Sequence, residues 1–191
     1  MTEAPNMILI GSSARNSGKT FLACALIRRL KALNEEPVIA LKITCAEGSG
    51  KACPRGGAGC GACSIDGDYC LSEEKRAPSS VKDTQQLLAS GADKVFWLRC
   101  LREKLESAYA SFLEELQSKS GCKTTIICES NTLRTIVRPA VFVMIMDDDN
   151  GIKKSAQAVA QKADVTLHTN FNEKDTAAVL KRFLSTGKIC V

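Results

Sequence analysis

Several features that mark common classes of protein are missing from this chain of 191 residues. It has a single histidine, His168, and its aromatic content is only 5%. A lone histidine without a visible triad partner is expected to be structural rather than catalytic. The net charge is +5, but the basic residues form no long run interleaved with aromatic side chains, so nucleic-acid binding is not indicated.

Long apolar segments are also missing. No apolar run approaches the length of a membrane span, and the first residues lack the charged and apolar regions of a signal peptide. We therefore expect a cytoplasmic protein without membrane contact, built as one domain over residues 1–191. Ten cysteines in a reducing compartment favour metal ligation or buried thiols over disulfides.

The strongest motif is the segment from Gly11 to Thr20. Apolar runs at 7–10 and 21–27 flank it, which predicts a strand, a tight loop and a helix. In this context backbone N–H groups surround an anion and a lysine reaches the outer phosphates of a nucleotide, ATP or GTP. The pattern G-x-x-x-x-G-K-S/T expects glycine where Ser13 stands. The predicted nucleotide-binding residues are Ser13, Ala14, Arg15, Asn16, Ser17, Gly18, Lys19, Thr20 and Phe21.

Apolar periodicity predicts alternating strands and helices along most of the chain. Further strands are expected at 37–43, 94–98, 123–128, 140–146, 164–168 and 188–191, and helices at 18–34, 81–90, 101–119, 152–163 and 173–184. Strands separated by helices indicate an α/β fold with a doubly wound, mainly parallel sheet, which binds ligands at the carboxyl ends of its strands. Residues 44–80 show no periodicity and are predicted to be a cysteine-rich, metal-binding insertion.

Polar residues at the predicted strand ends are candidates for magnesium and nucleotide binding. Thr20 supplies a hydroxyl, and Glu129 and Asp83 supply carboxylates for Mg²⁺, although each carboxylate also suits an ordinary helix start. Lys42 ends a buried strand and either meets the phosphates or extends out of the sheet. Asn170 follows the strand that ends at His168, where a base could be recognised, but it also fits an ordinary turn.

The insertion contains the pattern C-x6-C-x2-C-x6-C, formed by Cys53, Cys60, Cys63 and Cys70. Glycine-rich spacers would let four thiolates converge, and we favour an iron–sulfur cluster, 4Fe–4S, over Zn²⁺ because a zinc ribbon shows two close pairs. Disulfides or free thiols are the remaining alternative, and Cys45 is a spare ligand or a structural thiol. Inert core thiols are expected at Cys24, Cys100, Cys122, Cys128 and Cys190.

Taken together, the loop Ser13–Thr20, the strand ending in Lys42, the segment 82–95 and the acidic strand end at Glu129 resemble the molybdopterin-guanine dinucleotide biosynthesis protein B family. That family belongs to the P-loop NTPases, with dethiobiotin synthetase and metal-cofactor maturation GTPases. The resemblance implies that Gly18, Lys19 and Thr20 bind phosphates and magnesium. It also implies that Lys42 lies near the phosphates, Asp83 near the metal and Glu129 at the end of the central strand. Lys19, Lys42 and Glu129 are thus the candidate catalytic residues.

The sequence departs from that family at three places. Glu129 is followed by Ser130-Asn131 where family members tend to have glycine, and Lys42 is followed by Ile43-Thr44-Cys45 where they tend to have histidines. The family also lacks the cysteine insertion. Our leading hypothesis is an NTPase that assists metallocofactor assembly, with a client metalloenzyme or cofactor-synthesis protein as partner and a homodimer left open. Nucleotide binding or hydrolysis would then change how exposed the loop 53–70 is or how tightly it binds a metal or partner. Two alternatives stay open: an ATP-dependent ligase of the dethiobiotin synthetase type, and a non-catalytic metal-sensing or docking module.

Overall fold

The structure is a computed structural model that describes residues 1–33, 36–46, 65, 67–75, 82–119 and 124–187. Its strands are β1 (Thr2–Ser12), β2 (Val38–Ala46), β3 (Tyr69–Glu73), β4 (Lys94–Leu101), β5 (Thr125–Glu129), β6 (Val137–Met146) and β7 (Val165–His168). Its helices are α1 (Lys19–Leu33), α2 (Asp83–Ala89), α3 (Leu105–Lys119), α4 (Lys154–Gln157) and α5 (Glu173–Ser185). Short 3-10 turns span Arg102–Lys104, Thr132–Thr135 and Ala160–Lys162.

The described strands form one seven-stranded sheet in the order β3-β4-β2-β5-β1-β6-β7. Every pairing is parallel except that of β3 with β4, which is antiparallel at the edge. The strand that precedes the phosphate-binding motif, β1, lies between β5 and β6. The carboxyl ends of β1, β2 and β5 therefore open at one edge of the sheet, where ligands of such sheets bind.

Helices cover both faces of the sheet. On one face α1, α2 and α5 bury a cluster that includes Leu26, Leu87 and Phe183 against alternate strand residues such as Ile8 and Ile127. On the other face α3 buries its own set, which includes Tyr109, Phe112 and Leu116, against strand residues such as Phe96 and Phe142. Central strands that are apolar on both faces explain the continuous hydrophobic runs in the sequence. The predicted doubly wound α/β architecture is confirmed.

The prediction of irregular structure over 44–80 is wrong at both ends of that segment. Strand β2 continues to Ala46, and β3 forms an edge strand at 69–73. The β3 residues are half-buried or exposed, and Leu71 is the only large aliphatic side chain among them, so their apolar signal is too weak to recognise in sequence. Residues 47–64, 66 and 76–81 lie outside the described residues.

Two other element predictions also need comment. The helix expected over 152–163 is short: only Lys154–Gln157 is α-helical, and a 3-10 turn follows at 160–162. The strand expected at 188–191 lies outside the described residues. Among the described residues, no helix combines the length and apolar character needed to cross a bilayer.

Candidate nucleotide-binding site

A cavity of about 740 Å³ opens at the carboxyl ends of β1, β2 and β5. It brings together most of the side chains that the sequence singled out, from separate parts of the chain. The predicted residues that line it are Arg15, Asn16, Ser17, Gly18, Lys19, Thr20, Phe21, Lys42, Asp83 and Glu129. We call residues 13–20 the phosphate loop.

The phosphate loop turns sharply into α1. Gly18 has φ of 87° and Asn16 has φ of 57°, a left-handed conformation that glycine and asparagine tolerate best. The first turn of α1 contains no acidic residue, so its N-terminal N–H groups keep their positive potential. Lys19 Nζ reaches back across the loop and donates to Ser12 Oγ at 2.8 Å. The loop is therefore shaped to surround an anion.

Ser13, which replaces the expected glycine, is fully buried and ties the loop to the chain after β6. Its N–H donates to Ile145 O at 2.8 Å, and its hydroxyl accepts from the Asp147 N–H at 2.8 Å. Its carbonyl accepts from the Lys153 N–H at 3.0 Å. A glycine could not make the hydroxyl contact. Ser13 thus fastens the phosphate loop to the β6–α4 connection.

Asn131, after β5, holds the end of β1 from the other side. Its Oδ1 accepts from the Ser12 N–H at 2.8 Å, and its Nδ2 donates to Ser12 O at 2.9 Å. The side-chain amide thereby replaces a strand neighbour where β5 has ended. The Asn131 side chain lies very close to the backbone of β1: a Cβ on Gly11 would be 2.8 Å from Asn131 Oδ1. The glycine at position 11 therefore leaves space for this asparagine.

We expect Gly11→Ala to lower the free energy of unfolding by about 1–3 kcal/mol, because the added methyl group meets Asn131 and the ring of Phe142. Chemical denaturation of the purified variant measures this. Gly151→Ala is the matched control, since a Cβ there meets no atom within 4 Å among the described residues. Equal stability of the two variants would show that Asn131 does not pack closely against β1.

The acidic side of the cavity is formed by Glu129, the last residue of β5. Its Oε2 accepts from the Thr20 hydroxyl at 3.1 Å, which links the central strand to the start of α1. Its Oε1 is buried and has no hydrogen-bond partner among the described residues. Burial raises the pKa of Glu129, while the charges of Lys42 and Lys19 and the bond from Thr20 lower it. Glu129 is thus a buried carboxylate with an oxygen available to a ligand.

Lys42 and Asp83 form an ion pair at the rim of the cavity, joining the middle of β2 to the start of α2. The Lys42 side chain is 16% exposed, so it points into the cavity rather than out to solvent. Lys42 therefore lies on the cavity that the phosphate loop borders. The ion pair brings together two residues that flank the segment 44–80 in sequence.

The oxygen groups in the cavity suit a hard cation. Thr20 supplies a hydroxyl, and Glu129 and Asp83 supply carboxylates, which are the donor types that Mg²⁺ prefers. The unpartnered Oε1 of Glu129 is the observation that fits best, because a buried carboxylate oxygen is costly unless something binds it. These three residues are therefore compatible with a magnesium ion.

The sequence did not single out Lys153, which follows β6 and lines the same cavity. Its Nζ donates to Ala14 O at 3.2 Å and to Ser12 Oγ at 3.3 Å, the hydroxyl that Lys19 also contacts. Burial, with the nearby charges of Lys19 and Arg15, lowers the pKa of Lys153 to about 8. The only signal in the sequence was its place a few residues after the predicted strand 140–146.

Asn170, the residue after β7 that was predicted to recognise the base, is not among the residues that line this cavity. Asn170 is in an exposed turn, and its neighbour Phe171 packs against Phe21, with ring centroids 5.7 Å apart. Phe21 is 63% exposed, so an aromatic surface borders the phosphate loop. His168 makes a surface contact, with Nδ1 at 2.9 Å from an oxygen of Asp148.

The cysteines divide as follows. Cys24, Cys100 and Cys128 are buried, as predicted for core thiols, and burial raises the pKa of Cys24 and Cys128. Cys45 Sγ lies 3.7 Å from Cys100 Sγ across the β2–β4 pair. The described residues contain no cluster of three or more His, Cys, Asp or Glu side chains able to hold a metal ion. Outside the described residues lie Cys53, Cys60, Cys63, Cys122 and Cys190.

Cys70, the fourth cysteine of the predicted metal-binding pattern, is in β3. Its Sγ accepts a hydrogen bond from Arg99 Nη2 at 3.2 Å. Arg99 belongs to β4 and stacks on Trp97, with the guanidinium carbon 4.8 Å from the ring centroid. The described contacts of Cys70 are therefore with an arginine and not with another thiol.

A mainly parallel sheet in which β1 lies between two other strands, a glycine-lysine-threonine loop and helices on both faces define an α/β fold of the P-loop NTPase type. Among solved structures, the chain is similar to LpxK from Aquifex aeolicus in complex with ATP, with a TM-score of 0.53 and 14% identity. The match covers 89% of this chain and 50% of LpxK, so the chain spans about half the length of that protein. At this identity the likeness establishes the fold. No family model matches the chain, and no curated protein matches it in sequence.

Proposed function

We propose that this protein binds a nucleoside triphosphate with Mg²⁺ and hydrolyses or transfers its terminal phosphate. The observation that carries the proposal is the hydrogen bond from the Thr20 hydroxyl to Glu129 Oε2, 3.1 Å, in the cavity that also holds Lys19. It joins the phosphate loop to a buried acid at the end of the central strand. Phosphoryl-transfer sites use these groups for phosphate positioning and charge stabilisation.

Each residue then has a defined part in binding. The N–H groups at the start of α1 face the phosphates, and Lys19 moves from Ser12 Oγ to a phosphate oxygen. Lys42, held by Asp83, adds a second positive charge at the rim. Thr20, Glu129 and Asp83 would hold a Mg²⁺ ion directly or through water, and the ion would supply positive charge to offset that of the phosphates.

The test is equilibrium binding of ATP and GTP by the purified full chain, with Mg²⁺ and with EDTA, followed by phosphate release assays. We expect one of the nucleotides to bind with Mg²⁺ and to raise the melting temperature. A ligand at about 100 times its Kd stabilises the folded state by about 2.7 kcal/mol. If neither nucleotide binds at millimolar concentration, the proposal is wrong.

A second candidate function is ATP-dependent ligation or phosphoryl transfer to a small molecule. The cavity extends from the phosphate loop past Glu129 to Thr44, Cys45 and Thr132, which leaves room for another substrate. This function predicts that nucleotide turnover is slow alone and rises severalfold when the correct acceptor is added. Turnover that no added metabolite stimulates would favour a simple NTPase.

The role in metallocofactor assembly stays a prediction. Cys53, Cys60 and Cys63 lie outside the described residues, and the likeness to the molybdopterin-guanine dinucleotide biosynthesis protein B family rests on sequence motifs. What supports a link to the nucleotide is the Lys42–Asp83 pair, since it brings residues on either side of the cysteine-rich segment together at the cavity rim. A client metalloenzyme and a cytoplasmic location belong to the same hypothesis.

Metal analysis after anaerobic purification tests that hypothesis. We expect iron with a broad sulfur-to-iron absorption band if the cysteines hold a cluster, and zinc without colour if they hold Zn²⁺. Replacing Cys60 and Cys63 together by serine should remove either metal. Replacing the core residue Cys24 by serine is the control and should leave the metal content unchanged. A wild-type protein free of both metals would reject the metal site.

A further inference from the structure

We propose that Lys153 is a second phosphate-binding lysine, which contacts the terminal phosphate of a nucleoside triphosphate beside Lys19. This inference rests on the proposed nucleotide binding and adds a residue that distinguishes triphosphate from diphosphate. Lys153 belongs to the connection between β6 and α4, far in sequence from the phosphate loop. Its placement rests on three observations.

The first observation is that two lysines share one acceptor. Lys19 Nζ and Lys153 Nζ donate to the same Ser12 Oγ, at 2.8 and 3.3 Å. Like charges brought to one neutral oxygen repel each other, so an anion placed between the two ammonium groups is favoured. A phosphate group has several oxygens and can accept from both ammonium groups at once. The position of the shared hydroxyl thus marks where such an anion is favoured.

The second observation is the nature of the acceptors of Lys153. Both are neutral, namely Ser12 Oγ and the Ala14 carbonyl oxygen, and its side chain is half-buried. Half-buried lysines are usually paired with a carboxylate, as Lys42 is with Asp83. Lys153 instead faces the cavity, where a ligand can supply the negative charge.

The third observation is that the backbone fixes Lys153 to the phosphate loop. Its N–H donates to Ser13 O at 3.0 Å, and the Ser13 hydroxyl accepts from the Asp147 N–H at the other end of the same connection. Ser13 therefore anchors both ends of the segment that carries Lys153. This gives a physical reason for serine at the position where the phosphate-loop pattern expects glycine.

We assign Lys153 to the terminal phosphate because of the part of the phosphate loop that its side chain contacts. It contacts Ser12 and Ala14, on the β1 side of the loop, whereas the N–H groups of Gly18 to Thr20 lie at the start of α1. Lys19 bridges these two sides, and in this motif it reaches the outer phosphates. A group beyond Lys19 on the β1 side is therefore closest to the outermost phosphate.

The experiment compares the binding of two kinds of ligand in the presence of Mg²⁺: the imido analogues of ATP and GTP, and the diphosphates ADP and GDP. The proteins tested are wild type, Lys153→Gln and Lys154→Gln. We expect Lys153→Gln to weaken triphosphate binding about 10- to 100-fold, as for loss of a charged hydrogen bond, and diphosphate binding less than about threefold. Lys154 is exposed and adjacent, so Lys154→Gln should bind both as wild type does. Thermal melting confirms that each variant is folded.

The pH dependence gives a second readout. Lys153 must be protonated to hold a phosphate, and its pKa in the free protein is about 8, so wild-type triphosphate affinity should fall as the pH rises above 8. Lys153→Arg stays charged and should lose this decline. The other charged groups around the cavity are common to both proteins: Arg15, Lys19, Lys42, Asp83 and Glu129.

The outcomes separate this inference from the proposed function. If wild type binds nucleotides and Lys153→Gln binds both phosphate forms equally well, only the role of Lys153 is rejected. Equal loss of triphosphate and diphosphate binding would also reject the assignment to the terminal phosphate. If wild type binds neither form, the proposed function and this inference both fail.

Discussion

Glu129→Gln is expected to abolish most Mg²⁺-dependent hydrolysis while the protein still folds and still binds nucleotide. Glutamine keeps the size of the side chain and can still accept from the Thr20 hydroxyl, but it cannot supply a charged oxygen to a metal ion or to water. Loss of one preorganised polar group in an active site commonly lowers kcat about 100- to 1000-fold. We expect a decrease of that size in phosphate release, measured at saturating nucleotide.

Glu3→Gln is the matched control for this change. Glu3 lies on an exposed part of β1, and its side chain is 69% exposed. The same substitution there should leave turnover unchanged. Turnover of Glu129→Gln equal to wild type, with nucleotide binding intact, would favour the non-catalytic module over an NTPase.

The difference in stability between Glu129→Gln and wild type is expected to depend on pH. Burial raises the pKa of Glu129 above its ordinary value of 4.5, so the folded protein disfavours the ionised form. The ionisation of Glu129 therefore lowers the free energy of unfolding at pH values above its pKa in the folded protein. This loss disappears as the pH falls below 4.5, where the carboxyl group is protonated in both the folded and the unfolded state. Without nucleotide or Mg²⁺, Glu129→Gln should be more stable than wild type at neutral pH, and the difference should shrink on acidification. A difference that grows on acidification would contradict the raised pKa.

Apolar patterns in the sequence correctly predicted those strands and helices whose apolar residues are buried in the structure. The run Met7–Ile10 is fully buried, and so are Leu22, Leu26 and Leu30 of α1, so apolar spacing identified β1 and α1 directly. Phe21 and Leu33, at the two ends of α1, are exposed although their spacing matches the buried face. The edge strand β3 was missed because it is half-exposed and carries little apolar signal. Helix α4 was overestimated because the apolar spacing of 152–163 is satisfied by one helical turn and a 3-10 turn.

The candidate site was predictable where its residues end strands or follow the phosphate-loop motif. Thr20 in the motif and Glu129 at the end of β5 are of this kind, and the parallel sheet brings them to one cavity with Lys42 of β2. Asn131 and Lys153 were not identified, because their roles come from contacts with Ser12 across 119 and 141 positions of the chain. Such contacts depend on strand order, and one sequence carries no local signal for it.

Lys19→Ala is expected to weaken nucleoside triphosphate binding about 100-fold, because the variant loses a charged hydrogen bond to the phosphates. Calorimetric titration with the ATP and GTP analogues measures this. Lys181→Ala is the control, since Lys181 is exposed on α5 and outside the cavity lining. Affinity that falls equally in both variants would point to a general charge effect rather than to a site.

The same variant also tests the geometry without any ligand. The positive charge of Lys19 is one of the causes that hold the pKa of Lys153 down at about 8, after burial and together with Arg15. Removing Lys19 should therefore raise the pKa of Lys153, which pH titration of the labelled lysine by NMR measures. An unchanged pKa would show that the two ammonium groups do not meet at Ser12 in solution. A raised pKa together with lost triphosphate affinity would place both lysines at one anion-binding position, with the phosphate loop between them.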